Sequence, residues 1–137
     1  MSQPHIVGIG GTVRAHSSTG RALAAALRLA EARGARTTLL TGDEIDFPNF
    51  DPEVGGDTPQ VAAFVRAIRA ADALIIGSPG YHGSFSGLVK NALDHVELTA
   101  RDDRAYFTDL PVGVIATAAG WQAAVATLGA LRGVVHA

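Results

Sequence analysis

Four short apolar segments alternate with stretches of helical periodicity along this chain of 137 residues, and that alternation admits few architectures. The segments are HIVGIG (5–10), ARTTLLT (35–41), DALIIG (72–77) and LPVGVIATAAG (110–120). DALIIG is apolar almost without interruption, as a strand buried on both faces of a parallel sheet must be. Parallel neighbours need long crossovers, which the helical stretches supply. Over 21–33, Leu23, Ala26, Leu27 and Ala30 share one helix face, and Gly34 is a natural stop. Thr58 and Pro59 read as the cap and first residue of a second helix, with Val61, Phe64, Val65 and Ile68 as its buried stripe. A third helix starts at Gly87 and groups Leu88, Ala92, Leu93 and Val96; a fourth runs from Trp121 to the end. The turn-rich segment 42–59, GDEIDFPNFDPEVGGDTP, reads as a surface loop. The expectation is one α/β domain over residues 1–137 with a mainly parallel sheet.

Composition narrows the function classes. A formal net charge of −2 leaves no basic footprint for nucleic acid or an anionic membrane surface. No apolar run approaches the roughly 18 residues of a spanning helix, and MSQPHIVGIGG lacks the marks of a leader peptide. These features lead to the expectation of a soluble, cytoplasmic domain. With no cysteine, thiol catalysis, disulfides and thiolate metal sites are excluded.

In an open parallel sheet the strand-to-helix loops gather at the carboxyl edge, where ligands bind. Three such loops stand out: 10–19, 78–87 and 117–121. The first is not a dinucleotide fingerprint, because Val13 stands where the third glycine belongs, and it has no lysine for a Walker loop. It is instead rich in hydroxyls (Thr12, Ser17, Ser18 and Thr19) with Arg14 among them, a set suited to a phosphate monoester at a helix N-terminus. The same residues would equally serve as a helix cap with a solvated arginine. In the second loop, Pro79, Gly80 and Gly83 bend the backbone, and Tyr81 and His82 offer ring surface and polar tips to a flat ligand. His82 has no second ligand at metal spacing. GSFSG centres on Phe85, so it is no serine-hydrolase elbow.

Taken together, GTVRAHSST and SPGYHGSFSGLVKNALD resemble the two signature loops of the NADPH-dependent FMN reductase family, flavodoxin-like flavin, quinone, azo-dye and chromate reductases. Gly11, Thr12, Arg14, Ser17 and Thr19 match the first pattern; Ser78, Pro79, Tyr81, Ser84, Gly87, Lys90, Asn91, Leu93 and Asp94 match the second. The resemblance implies a flavodoxin-like three-layer sandwich of strand order 2-1-3-4-5. It implies that Gly11, Thr12, Arg14, Ser17, Ser18 and Thr19 hold the FMN phosphate. Pro79, Gly80, Tyr81, His82 and Gly83 would line the ring, joined by Ala118, Ala119 and Gly120 of the third loop. Trp121 would be a wall for the flavin or a packing residue of the core or a dimer. NADPH or NADH would deliver hydride, with no side chain acting as nucleophile or base, while backbone N–H groups stabilise negative charge on the ring. Free flavin, a quinone or a similar molecule would accept the electrons. A homodimer or homotetramer is implied, packed through the third helix with Lys90 and Asn91 near the flavin loop. The competing reading is an FMN-binding electron carrier or interaction module, although such carriers are commonly more acidic than −2. Two departures from the family pattern stand out. Gly80-Tyr81-His82 replaces a common Glu-Tyr-Asn, and LRGVVHA ends the sequence before the family's last strand and helix, as in a fragment, a chain with a disordered tail, or a shortened variant.

Overall fold

The computed structural model describes residues 3–56 and 58–137; Met1 and Ser2 of the N-terminal stretch and Asp57 of the 42–59 loop lie outside them. Strands β1 (His5–Gly10), β2 (Arg36–Thr41), β3 (Ala73–Tyr81) and β5 (Val112–Thr117) form a parallel sheet, and the short β4 (Ser84–Phe85) folds back antiparallel on β3. The parallel order is β2-β1-β3-β5, as expected for the flavodoxin-like arrangement. Among the described residues three helices connect the strands, α1 (Ser18–Ala32), α2 (Pro59–Ala70) and α3 (Gly87–Asp94), and a fourth, α4 (Trp121–Val135), follows β5.

Alternation along the strands sorts the layers. Val7, Ile9, Leu74 and Ile76 point to one face, where Val61, Phe64, Val65 and Ile68 of α2, Val89 and Leu93 of α3 and Leu131 of α4 bury them. The opposite face carries Gly8 and Gly77, and the missing side chains let α1 approach closely. A Cβ at Gly8 would stand 2.9 Å from Leu27 Cδ1, and one at Gly77 2.9 Å from Leu23 Cγ. The glycines of β1 and β3 thus seat α1 before any ligand is considered.

The 42–59 segment departs from its surface reading, because it inserts Ile45 and Phe47 into the core. Phe47 packs edge-on against Phe64 and against His95, whose ring also meets Phe50. His95 Nδ1 donates to the Asn91 carbonyl at 2.7 Å. Turn-forming residues around a few large apolar ones hid the insertion, since periodicity needs longer runs to register.

Asn91 clamps this segment. Its Oδ1 accepts from the Phe50 N–H (2.9 Å), and its Nδ2 donates to the carbonyls of Phe47 (3.0 Å) and Pro48 (3.1 Å). Lys90 instead reaches Asp94 one turn on, at 2.6 Å, in an exposed i,i+4 pair. Asn91→Ala is therefore expected to lower stability by about 2 kcal/mol, because three backbone groups lose their partner. Lys90→Ala should cost about 0.5 kcal/mol at most. Chemical denaturation of the two variants side by side checks the contrast.

Past α3 a 3-10 turn (His95–Thr99) leads into an irregular segment held by Arg104. Its guanidinium donates to the carbonyls of Ile68, Arg69 and Ala71 and so closes the C-terminal end of α2. Arg69 forms a two-point pair with Asp102, and that hydrogen bond holds the Asp102 carboxyl below the usual carboxylate range.

Candidate functional site

The carboxyl edge of the sheet brings together three loops that are distant in sequence. The first leaves β1 through Gly10 and Gly11, both at positive φ (141° and 90°). A side chain at Gly10 would overlap the carbonyl oxygen of Gly77, and one at Gly11 would overlap Thr41 Oγ1. The Gly11 N–H donates to that same Gly77 carbonyl at 3.2 Å. The turn that follows is held locally, with Thr12 Oγ1 accepting from the Arg14 N–H at 3.1 Å. The Arg14 side chain itself is exposed and has no carboxylate partner among the described residues.

Helix α1 begins three residues earlier than the apolar periodicity indicates, because Ser17 caps it. Ser17 Oγ accepts from the Gly20 N–H at 3.1 Å, so the N–H groups of Ser18 and Thr19 remain directed out of the first turn. Thr19 is buried and shares a 2.7 Å hydrogen bond with Thr117 Oγ1 at the end of β5. That bond ties the first loop to the third across 98 residues of sequence.

The second loop is more regular than expected. β3 continues through Ser78, Pro79 and Gly80 to Tyr81, then turns at His82-Gly83 into β4. Both turn residues have positive φ (49° and 89°), the two-residue type I′ turn whose twist suits a hairpin. Pro79 is tolerated in a strand here because β1 has already ended; its register partner is Thr117 on the other side. Buried Ser78 fastens the base of the hairpin, donating to the Pro79 carbonyl (2.8 Å) and accepting from the Ser86 N–H (2.9 Å). Ser86 in turn caps α3. At Gly80 a Cβ would sit 2.8 Å from Thr127 Oγ1 and 3.3 Å from the Ala123 carbonyl, so the hairpin backbone rests directly on α4.

Between the loops lies an open cleft of about 630 Å³, within the usual range for small-molecule sites. Of the residues singled out in the sequence, Thr12, Arg14, Ser17, Ser18 and Thr19 line one end, while Pro79, Gly80, Tyr81, Ala118 and Ala119 line the other. Gly11, His82, Gly83 and Gly120 do not line it: Gly11 shapes the exit from β1, His82 and Gly83 form the hairpin tip, and Gly120 precedes α4 as its cap. The cleft adds Ala15, His16 and Thr117. His16 has φ 60°, a strained conformation for its residue type. Only its place inside the first signature loop could have pointed to it. Trp121 is 85% exposed and outside the cleft lining. No group of three or more His, Cys, Asp or Glu at metal-binding distance exists among the described residues. No helix in them is long and apolar enough to cross a membrane.

The sequence matches the model of the NADPH-dependent FMN reductase family over residues 4–137. It is 36% identical over 78 residues to an FMN-dependent NADPH-azoreductase of Staphylococcus haemolyticus, a match covering 57% of this chain and 38% of that one. The azoreductase of Staphylococcus aureus is 37% identical over a segment of the same length. The matched segment is therefore well under half the length of these relatives. Among solved structures, FerB, a flavoenzyme NAD(P)H:(acceptor) oxidoreductase from Paracoccus denitrificans, superposes with a TM-score of 0.78 at 25% identity. That superposition covers 97% of this chain and 71% of FerB. The apo form of the NADH:FMN oxidoreductase EMOB superposes with a TM-score of 0.75, also at 25% identity, over 98% of this chain and 68% of its own.

Proposed function

This chain belongs to the NADPH-dependent FMN reductase family, and from that premise we propose that its cleft binds FMN and supports transfer of hydride from NADPH or NADH to an acceptor. The observation that carries the reading is the division of the cleft: hydroxyls, Arg14 and free helix N–H groups at one end, and a side-chain-poor backbone strip at the other. A phosphate monoester fits the first end, since it brings about two negative charges and several acceptor oxygens to donors already in place. A flat heterocycle fits the second, because the Pro79–Tyr81 backbone is held in strand geometry and backed by α4.

When bound, FMN supplies the hydride-transfer chemistry. The residues of this chain bind and orient. Arg14 and the first turn of α1 anchor the phosphate; the Thr19–Thr117 hydrogen bond fixes the distance between that anchor and the β5 loop. Backbone groups of Gly80 and of Ala118 and Ala119 meet the ring edge, and Tyr81, 54% exposed at the cleft mouth, borders the face left open to a second substrate. Ser17 keeps its cap bond in this arrangement and contributes its hydroxyl proton, while Thr19 acts through its backbone N–H.

The functional unit proposed is a cytoplasmic homodimer, fed by the reduced nicotinamide cofactors of that compartment. Trp121, Val125 and Leu128 form an exposed apolar stripe along α4, at spacings of four and three residues, and a second copy would cover it. The stripe starts directly after the Ala118–Gly120 loop, so pairing there would also wall the cleft.

Titration with FMN is expected to quench flavin fluorescence at one site per chain, and the loaded protein should oxidise NADPH or NADH when an acceptor is supplied. FMN binding without turnover would favour the electron-carrier reading, and absence of FMN binding would sink both. In the same preparation Trp121→Ser should shift sedimentation from dimer to monomer; an unchanged dimer would remove the α4 interface.

A further inference from the structure

Gly80 lines the cleft, and the helix behind it leaves no room for a side chain. Ile76, Ser78 and Gly80 alternate along β3 and therefore share one face of the sheet. Ile76 and Ser78 are wholly buried on that face, so a side chain at 80 would point into α4 rather than into the cleft. Its Cβ would meet Thr127 Oγ1 at 2.8 Å, the Ala123 carbonyl at 3.3 Å and the Ala118 Cβ at 3.4 Å. Ala123 and Thr127 stand four residues apart on α4, on the helix face that also buries Leu131.

Thr127 is fully buried, and its hydroxyl has no hydrogen-bond partner. Among the described residues one other buried side-chain polar atom shares that state, His5 Nδ1 at the amino edge of the sheet. A threonine inside a helix ordinarily bonds the carbonyl one turn back. Here that bond, to Ala123, is not made. A buried hydroxyl without a partner costs stability, and a valine of the same shape would avoid the cost. What the hydroxyl does is stand against Gly80, in the space a side chain there would fill. It is smaller than a methyl group, so the strand lies closer to α4 than a valine would allow. We infer that Thr127 is a positioning residue for the cleft. It sets how closely the 79–81 backbone approaches α4, and hence where the ring-edge groups of Gly80 stand. It does not line the cleft and acts through Gly80 alone. The inference rests on the reading of the cleft as a flavin site. It also accounts for glycine at 80 in place of the glutamate common in the family pattern, because Thr127 occupies the space that side chain would need.

The test is fluorescence titration of the full chain with FMN and with riboflavin, paired with urea unfolding of each protein. The proteins compared are the natural one, Gly80→Ala, Thr127→Val and the double variant Gly80→Ala/Thr127→Ala. Gly80→Ala should raise the Kd of both flavins roughly tenfold or more, because its methyl group pushes the strand off α4. Both should move alike, since the phosphate end is untouched. The double variant removes the obstructing hydroxyl and should return both values to within about threefold of the natural protein. Thr127→Val should weaken both flavins about fivefold while its urea midpoint stays equal or rises. Affinity lost without stability lost is a result that a merely structural role would not give. The inference is overturned if the double variant binds no better than Gly80→Ala, or if Thr127→Val binds both flavins as the natural protein does. Should Gly80→Ala fail to fold, Thr127→Val decides alone. If the natural protein binds neither flavin, the cleft reading fails and this inference with it, an outcome distinct from normal binding without rescue.

Discussion

Gly10→Ala is expected to lower the unfolding free energy by about 3–4 kcal/mol, a drop of roughly 10 °C in Tm for a domain of this size. The new methyl group would overlap the Gly77 carbonyl oxygen, which is main chain in the adjacent strand and cannot rotate aside. The φ of 141° adds backbone strain for any L side chain. Gly34 provides the control: its φ is 98°, yet nothing lies within 4 Å of where its Cβ would stand, so Gly34→Ala should cost only about 1 kcal/mol. Urea unfolding of the pair separates the two contributions. If Gly10→Ala proves no more destabilising than Gly34→Ala, the close approach of β1 and β3 is not as described.

Arg14→Ala should raise the Kd for FMN roughly thirty-fold, about 2 kcal/mol, with no change in thermal stability. The side chain is exposed and packs against nothing the core needs. Riboflavin, which lacks the phosphate, makes the prediction selective. Its affinity should be the same for both proteins, so the preference for FMN over riboflavin collapses in the variant. Arg14→Lys should recover part of the loss, as a point charge without the planar fork. Equal effects on FMN and riboflavin would move Arg14 from the phosphate to the ring, and no effect on either would remove it from the site.

The α/β layers were readable because short apolar runs alternate with crossovers of helical spacing, while the strand order was legible only through the resemblance carried by the two signature loops. What stayed hidden was where isolated residues override their surroundings. Ile45 and Phe47 enter the core from a segment whose composition is that of a surface turn. β3 runs on through Pro79 because its neighbour β1 stops short, a tertiary fact that no local pattern contains. At the site, the hydroxyl cluster was legible as chemistry but not as a division of labour. Ser17 caps a helix, Thr19 turns inward to Thr117, and Arg14 remains free to meet a ligand. Asn91 is the clearest case: a residue of the second signature loop whose side chain holds the 47–50 backbone rather than facing the cleft.

The His82-Gly83 tip has a consequence for how such a protein diversifies. Nothing lies within 4 Å of a Cβ at Gly83, and the turn projects beyond the last register pair of the hairpin. Its two residues can be exchanged for others that accept a left-handed backbone, such as asparagine or aspartate, without disturbing the sheet. Ser78, at the hairpin's base, has no such latitude, because its hydroxyl joins strand to helix cap. The fold therefore confines inheritance to the base and leaves variation to the tip. Turn residues can be exchanged there one at a time while the scaffold beneath them stays as it is.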